Sequence, residues 1–106
     1  MKIIAVTACP TGVAHTNIAA RAIEKAAKVL GYDIKVERQG ALGIQNRLTK
    51  EDIQLSDVVI FAVSQKVLDE QRFSGKVVHI VPVNAPIVDG VGVLQDALKL
   101  INEKYI

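Results

Sequence analysis

Short runs rich in valine and isoleucine alternate along this sequence with segments of helical periodicity, and this alternation is what most constrains the fold. It is typical of a parallel sheet covered by helices on both faces. The runs that we interpret as strands are Lys2–Ala8, Asp33–Glu37, Asp57–Ala62 and Lys76–Val81. The sequence therefore predicts a Rossmann-like α/β fold, in which a four-stranded parallel sheet of order 2-1-3-4 is sandwiched between helices.

Helical periodicity predicts a first helix that begins near Ala14 to Thr16 and ends at Gly31, where a glycine suits the C-cap. The apolar face of this helix is predicted to consist of Ile18, Ala22, Ala26 and Leu30. Thr49 is the predicted N-cap of a short second helix, and residues 66–75 form a weaker helix or a loop. A final helix follows the fourth strand.

The composition fits one compact domain. The chain has 106 residues, half of them apolar, and no repeat, low-complexity segment or linker divides it, so residues 1–106 are predicted to form a single domain. The net charge of +2 is too small to predict binding to nucleic acid, and four aromatic residues are too few for a base-stacking platform.

Metals, nucleotides and membrane insertion are not predicted either. The two histidines stand apart, without clustered carboxylates, and Gly90-Val91-Gly92 lacks the third glycine of a dinucleotide fingerprint. We therefore expect no cofactor. The longest apolar stretches are about a strand long, against roughly 20 residues for a membrane span. A lone cysteine, expected to be a free thiol, fits a cytoplasmic protein.

That cysteine, Cys9, follows the first predicted strand, and open parallel sheets bind ligands beyond the carboxyl ends of their strands. Backbone N–H groups between the strand and the first helix can form an anion cradle. The predicted phosphate-binding residues are Thr11, Gly12, Val13, Ala14, His15 and Thr16. The same donors stabilise a thiolate and, once sulfur is phosphorylated, the phosphate oxygens.

Each of these residues also has a plainer interpretation. A free cysteine is often buried and inert. His15 contacts the phosphate or is an ordinary residue of the first helical turn, and Thr16 either binds a phosphate oxygen or caps the helix. We interpret His79, which lies in the fourth predicted strand, as structural.

The run from Thr7 to Thr16, TACPTGVAHT, resembles the signature of the fructose-type enzyme IIB of the bacterial sugar phosphotransferase system. The resemblance continues through four further runs and so covers nearly the whole chain; they are Val36–Gly40, Asn46–Thr49, Asp52–Ile53 and Arg72–Lys76. Two positions depart from the family pattern: Arg38 stands where that pattern has threonine, and Ser64 stands where it often has aspartate.

The resemblance implies a cytoplasmic phosphocarrier. In that family the cysteine accepts a phosphoryl group from a phosphohistidine of the IIA component and passes it to sugar held by the membrane-embedded IIC component. The same role is implied for Cys9, with fructose or a related sugar as the acceptor and with no metal or nucleotide taking part.

Two other functions stay open at this point. Low-molecular-weight phosphatases and arsenate reductases also place a nucleophilic cysteine after the first strand of a parallel sheet. Their pattern is Cys-x5-Arg, however, and His15 and Thr16 follow Cys9 at that spacing. Alternatively, the chain is a regulatory module whose docking surface changes on phosphorylation, which adds about −1.5 to −2 charges.

Overall fold

A computed structural model describes residues 2–9, 13–41 and 43–105, with the side chains of 13–15 and 102–105 left aside. Strands and helices alternate along the chain. Their order is β1 (Lys2–Ala8), α1 (Val13–Leu30), β2 (Asp33–Gly40), β3 (Gly43–Gln45), α2 (Lys50–Leu55), β4 (Val58–Val63), a 3₁₀ helix (Glu70–Phe73), β5 (Val78–Val81) and α3 (Ala85–Tyr105).

The five strands form one sheet of order β3-β2-β1-β4-β5. Strands β2, β1, β4 and β5 are parallel, as predicted, and they stand in the predicted order. Strand β3 was not predicted, and it pairs antiparallel with the end of β2. It is only three residues long and mostly exposed, so it carries no valine- and isoleucine-rich run.

Helices cover both faces of the sheet. Helices α1 and α3 pack on one face, over a core that includes Ile3, Ile23 and Leu94. Helix α2 and the 3₁₀ helix cover the other face, over Ile4, Val6 and neighbouring apolar side chains. We call these faces the α1 face and the α2 face. Strand β1 is central and β4 is almost fully buried, which is why both consist mainly of apolar residues.

The N-cap of α2 is formed as the sequence predicts. The Thr49 hydroxyl accepts a hydrogen bond from the backbone N–H of Asp52, and the Asp52 carboxylate accepts one from the N–H of Thr49. This reciprocal capping box satisfies donors that the first helical turn leaves unpaired.

Helix α1 is placed as predicted, but its buried side matches the predicted apolar face only in part, since Ala26 is buried and Leu30 packs against the same core. Ile18 is 48% exposed, whereas Ala19, Ala20 and Ile23 are buried. Small alanines lie on several sides of this helix, so periodicity alone does not identify the side that packs.

Helix α3 includes the Gly90-Val91-Gly92 run, which therefore lies inside a helix rather than in a loop after a strand. The helix is kinked at Asp89, whose φ and ψ of −153° and 80° are not helical. A Cβ at Gly90 would lie 2.9 Å from the carbonyl oxygen of Ala22 on α1. Glycine therefore allows α3 to approach α1 closely.

No helix in the described part of the chain is both long and apolar enough to cross a membrane.

Candidate functional site

Cys9 directly follows β1, at the carboxyl edge of the sheet, where backbone hydrogen bonds hold the end of this strand from both sides. The Cys9 N–H donates to the carbonyl of Gln39 in β2, with a nitrogen–oxygen distance of 3.2 Å. On the other side, the N–H of Ser64, just after β4, donates to the carbonyl of Ala8 at 2.9 Å. The backbone at the cysteine is thus fixed by the two neighbouring strands.

The side chain of Cys9 belongs to the α1 face of the sheet. Thr7, two residues earlier and therefore on the same face, donates from its hydroxyl to the Thr16 carbonyl of α1 at 3.2 Å. Cys9 packs with Ala19 of α1 and with Val83, which lies between β5 and α3. Only 3% of Cys9 is exposed. Cys9 is therefore enclosed on the side that faces Ala19 and Val83.

The predicted phosphate-binding residues fall into three groups. Thr11 and Gly12 lie outside the described residues. Val13, Ala14 and His15 form the first turn of α1, where backbone N–H groups have no partner within the helix and carry the positive end of the helix dipole. Thr16 is buried in the second turn, too far into α1 to be its N-cap.

A buried polar network occupies the α2 face at the same edge of the sheet. Its centre is Glu37, which has no exposed surface and pairs with Arg72. The two guanidinium nitrogens Nη1 and Nη2 of Arg72 lie 3.0 and 2.9 Å from Oε1 and Oε2 of Glu37. This fork arrangement gives the strongest geometry available to a carboxylate and an arginine.

The Glu37 carboxylate also accepts hydrogen bonds from two groups other than Arg72. Oε1 accepts from the backbone N–H of Leu48 at 2.8 Å, and Oε2 accepts from the side-chain amide of Gln39 at 2.7 Å. Burial on its own raises the pKa of Glu37, but the hydrogen bonds from Arg72, Gln39 and Leu48, together with the charge of Arg72, hold this pKa below its ordinary value. Glu37 is therefore ionised at neutral pH.

Arg38 points to the opposite face from Glu37, towards α1. Its Nη1 lies 3.3 Å from Oδ1 of Asn17, and its Nη2 lies 3.9 Å from Oε1 of Glu24. The Nε of Arg38 is buried without a hydrogen-bond partner among the described residues. One of the two departures from the fructose-type pattern thus adds a cation beside α1.

Sequence reasoning assigned no role to Glu37, Gln39 or Arg72, although all three lie in runs that carry the family resemblance. One available signal was that Glu37 and Gln39 are polar residues two apart, which face the same side of the sheet if the strand continues past its predicted end at Glu37. The partner Arg72 is 35 residues away, and no local pattern links it to Glu37.

Two cavities of about 760 and 690 Å³ lie on the α2 face. Phe61, Leu68 and Ile80 contribute to the first, and Leu48, Ile53 and Arg72 to the second. Neither cavity is lined by Cys9. Among the described residues there is no group of three or more His, Cys, Asp or Glu side chains placed to hold a metal ion. His79 is half-buried in β5.

Known proteins resemble this chain over most of its length. A family model described as "PTS system, Lactose/Cellobiose specific IIB subunit" matches residues 4–96. The "PTS system fructose-like EIIB component 2" of Escherichia coli K12 is 53% identical over 77 residues, which make up 73% of each chain.

A longer relative and a solved structure extend this likeness. The "PTS system fructose-specific EIIB'BC component" of Xanthomonas campestris is 46% identical over 97 residues, 92% of this chain and 17% of that protein. The solution structure of an enzyme IIB subunit of the PTS from E. coli K12 has a TM-score of 0.90 and 39% identity, covering 99% of this chain and 97% of that one.

These matches confirm the family resemblance that the cysteine loop suggested, and the shared fold agrees with the α/β class predicted from the sequence. The chain belongs to the IIB family of the phosphotransferase system, as a fructose-type IIB component, a phosphotransferase that carries a phosphoryl group during sugar uptake.

Proposed function

We propose that Cys9 is the residue that carries the phosphoryl group. The observation that supports this assignment is its position, because Cys9 directly follows the central strand β1 and precedes the amino-terminal turn of α1. A helix N-terminus favours the thiolate over the thiol and then favours the phosphate dianion. Cys9 is also the only cysteine of the chain.

The phosphate cradle of this proposal consists of residues 11–16. Backbone N–H groups of Thr11, Gly12, Val13, Ala14, His15 and Thr16 neutralise the three peripheral oxygens of the phosphoryl group. His15 adds a contact through its imidazole.

The reaction consists of two in-line transfers. In the first, the Cys9 thiolate attacks the phosphorus of a phosphohistidine on a IIA component, an S–P bond forms and the N–P bond breaks. In the second, a sugar hydroxyl releases its proton to water and attacks the phosphorus, an O–P bond forms, the S–P bond breaks, and sulfur leaves as the thiolate. The fixed backbone on both sides of Cys9 keeps the sulfur in one place during both steps.

The proposed acceptor is fructose or a related sugar bound by a membrane IIC component. The names of the relatives, "fructose-like" and "fructose-specific", support this choice, and so does a relative whose name joins B and C components. The chain would then dock on the cytoplasmic side of that membrane protein, and residues 1–106 would act as a single IIB domain.

Intact-mass spectrometry at neutral pH tests the proposal. The protein is incubated with the phosphorylated general carriers of the system and a cognate IIA, and we expect one added phosphoryl group. Cys9→Ser should add none, because a serine hydroxyl is far less acidic than a thiol. Phosphate retained by the Cys9→Ser variant, or mapped to His15, would overturn the assignment.

A further inference from the structure

We propose that the Glu37–Arg72 ion pair positions Cys9 for phosphoryl transfer and that it acts through Gln39. The inference rests on the proposed role of Cys9 and adds positioning residues to it. None of these three side chains contacts the sulfur, because they lie on the α2 face while Cys9 lies on the α1 face. Their influence passes through the backbone of β2 and of the segment after β4.

Gln39 is the link between the network and the cysteine. Its backbone carbonyl accepts the Cys9 N–H, and its side chain, which is fully buried, contacts the Leu68 backbone twice. Oε1 of Gln39 accepts from the Leu68 N–H at 2.7 Å, and Nε2 donates to the Leu68 carbonyl at 3.3 Å. The Gln39 amide thus pairs with Leu68 much as a neighbouring strand would.

This pairing holds the backbone of Leu68, whose own side chain is 53% exposed and adds little packing. The segment from Ser64 to Leu68 begins at the residue whose N–H holds the Ala8 carbonyl, immediately before Cys9. The Gln39 side chain therefore ties together the two backbone neighbours that flank the cysteine.

Glu37 and Arg72 hold Gln39 in this orientation. Glu37 accepts from the Gln39 amide nitrogen at 2.7 Å, which fixes which end of the amide faces Leu68. Arg72 in turn donates to the Leu68 carbonyl at 3.2 Å and, through Nε, to the Asp69 carbonyl at 2.9 Å. One ion pair therefore orients the amide and the loop that it binds.

Stability alone does not account for such a pair. Replacing a buried ion pair with apolar side chains of similar volume is often neutral or stabilising, so its retention at this edge of the sheet suggests a geometric role. Positioning matters for an in-line transfer, because a displacement of about 1 Å at the reacting atom can slow a reaction by about 100-fold.

The test uses a double variant, Glu37→Gln with Arg72→Met, which removes both charges together and leaves no unpaired ion in the core. Arg72→Lys is the conservative variant, which keeps the charge and loses the fork. Lys35→Met is the matched control: Lys35 lies on the same face of β2, two residues before Glu37, and pairs with Asp52 at 2.8 Å. That pair has no bond to Gln39 or to the segment after β4.

Two measurements are made on folded protein. The first is the single-turnover rate at which phosphorylated IIA loads Cys9. The second is the hydrogen exchange rate of the Cys9 amide by NMR, which needs no partner protein. We expect the double variant to load about 10- to 100-fold more slowly and to exchange faster at Cys9. The loading and exchange rates of Arg72→Lys should lie between those of the double variant and the wild type. Both rates of Lys35→Met should match those of the wild type within about two-fold.

The outcomes separate the two proposals. If the wild-type protein loads no phosphate, the proposed role of Cys9 is wrong. The exchange rates of the Cys9 amide in the wild type and the double variant then still decide whether the network fixes the backbone at Cys9. If the wild type loads and the double variant loads equally fast, with unchanged exchange at Cys9, positioning by Glu37 and Arg72 is wrong. Should the double variant fail to fold, Arg72→Lys decides by the same two measurements.

Discussion

Both carboxylate oxygens of Glu37 accept hydrogen bonds from the guanidinium of Arg72, at 3.0 and 2.9 Å, although 35 residues separate the two in sequence. The pair joins β2 to the 3₁₀ helix beneath the sheet edge that carries Cys9. Glu37 is fully buried, whereas 16% of the Arg72 side chain is exposed. The consequences of breaking this pair therefore depend on which partner is removed.

Arg72→Met alone should destabilise the protein strongly. It leaves the Glu37 carboxylate buried without its counter-ion, and removing one partner of a buried pair typically costs about 3–5 kcal/mol. The double variant with Glu37→Gln should recover most of that loss, because no charge is then left buried. Urea unfolding of both variants measures the difference. Equal stability of the single and double variants would contradict the prediction.

Acid should destabilise the protein through two carboxylates. The Lys35 ammonium and the Thr49 N–H hold the pKa of Asp52 well below its usual range, and the pKa of Glu37 is also lowered. Their unfolded-state pKa values are about 4, so the unfolded chain binds more protons in acid. Their stabilising contribution is complete above about pH 5 and is lost as the pH falls through the lower, folded-state values.

Urea unfolding at a series of pH values tests this dependence. The free energy of unfolding should fall below about pH 5 in the wild type, by up to about 1.4 kcal/mol per pH unit for each group that gains a proton on unfolding. The variant with Glu37→Gln and Arg72→Met lacks one such group and should have a shallower dependence. Identical slopes would show that Glu37 is not a contributor.

Gly90→Ala should destabilise the packing of α3 on α1. Alanine favours a helix over glycine by about 1 kcal/mol, so a gain would be expected if only propensity mattered. The added Cβ would lie 2.9 Å from the Ala22 carbonyl oxygen, however, and overpacking of this kind costs about 1–3 kcal/mol.

Gly92→Ala is the control for this change. Its Cβ would meet the carboxylate of Asp89, which is the end of a side chain that can rotate away at the cost of the hydrogen bond it accepts from the Gly92 N–H. Thermal unfolding should therefore show a larger loss for Gly90→Ala than for Gly92→Ala. The reverse order would mean that α3 does not depend on close approach at Gly90.

The sequence predicts the parallel part of this fold because β1 and β4 are largely apolar, buried runs and because all four strand segments alternate with helical ones. It predicts the N-cap of α2 because Thr49 and Asp52 are three residues apart and bond locally. Strand β2 continues to Gly40, beyond its predicted end at Glu37. The reason is that Glu37 and Gln39 are polar but fully buried, and their partners come from distant segments.

The site residues also divide into those that local sequence identifies and those that depend on distant segments. Cys9 could be singled out from the sequence because strand, cysteine, proline, glycine and helix start are consecutive. The Arg72 and Leu68 contacts could not, since they depend on tertiary structure that places the 3₁₀ helix under β2. Local chemistry is readable from sequence, whereas the network that supports it is not.

Phosphocysteine on this protein should survive in water much longer than in the presence of its acceptor, because a carrier must not lose its phosphoryl group. Phosphatases of the Cys-x5-Arg type stabilise the transferring group with a guanidinium. In this chain His15 stands at that spacing. Phosphorus NMR of the loaded protein measures the decay, and rapid turnover of an aryl phosphate by the wild type would favour a phosphatase instead.

Val83→Ala should make the Cys9 thiol more reactive towards iodoacetamide. Val83 packs with Cys9 and Ala19, and only 3% of Cys9 is exposed, so the shorter side chain opens a path to the sulfur.

The control is Val93→Ala, because Val93 is buried to nearly the same degree in the core between α3 and the sheet, away from the cysteine. Each substitution should reduce stability by about 2 kcal/mol. Alkylation followed by mass spectrometry should then be several-fold faster in Val83→Ala only. Equal acceleration by both variants would mean that the thiol reacts through global unfolding, and that Val83 does not control access to the proposed phosphorylation site.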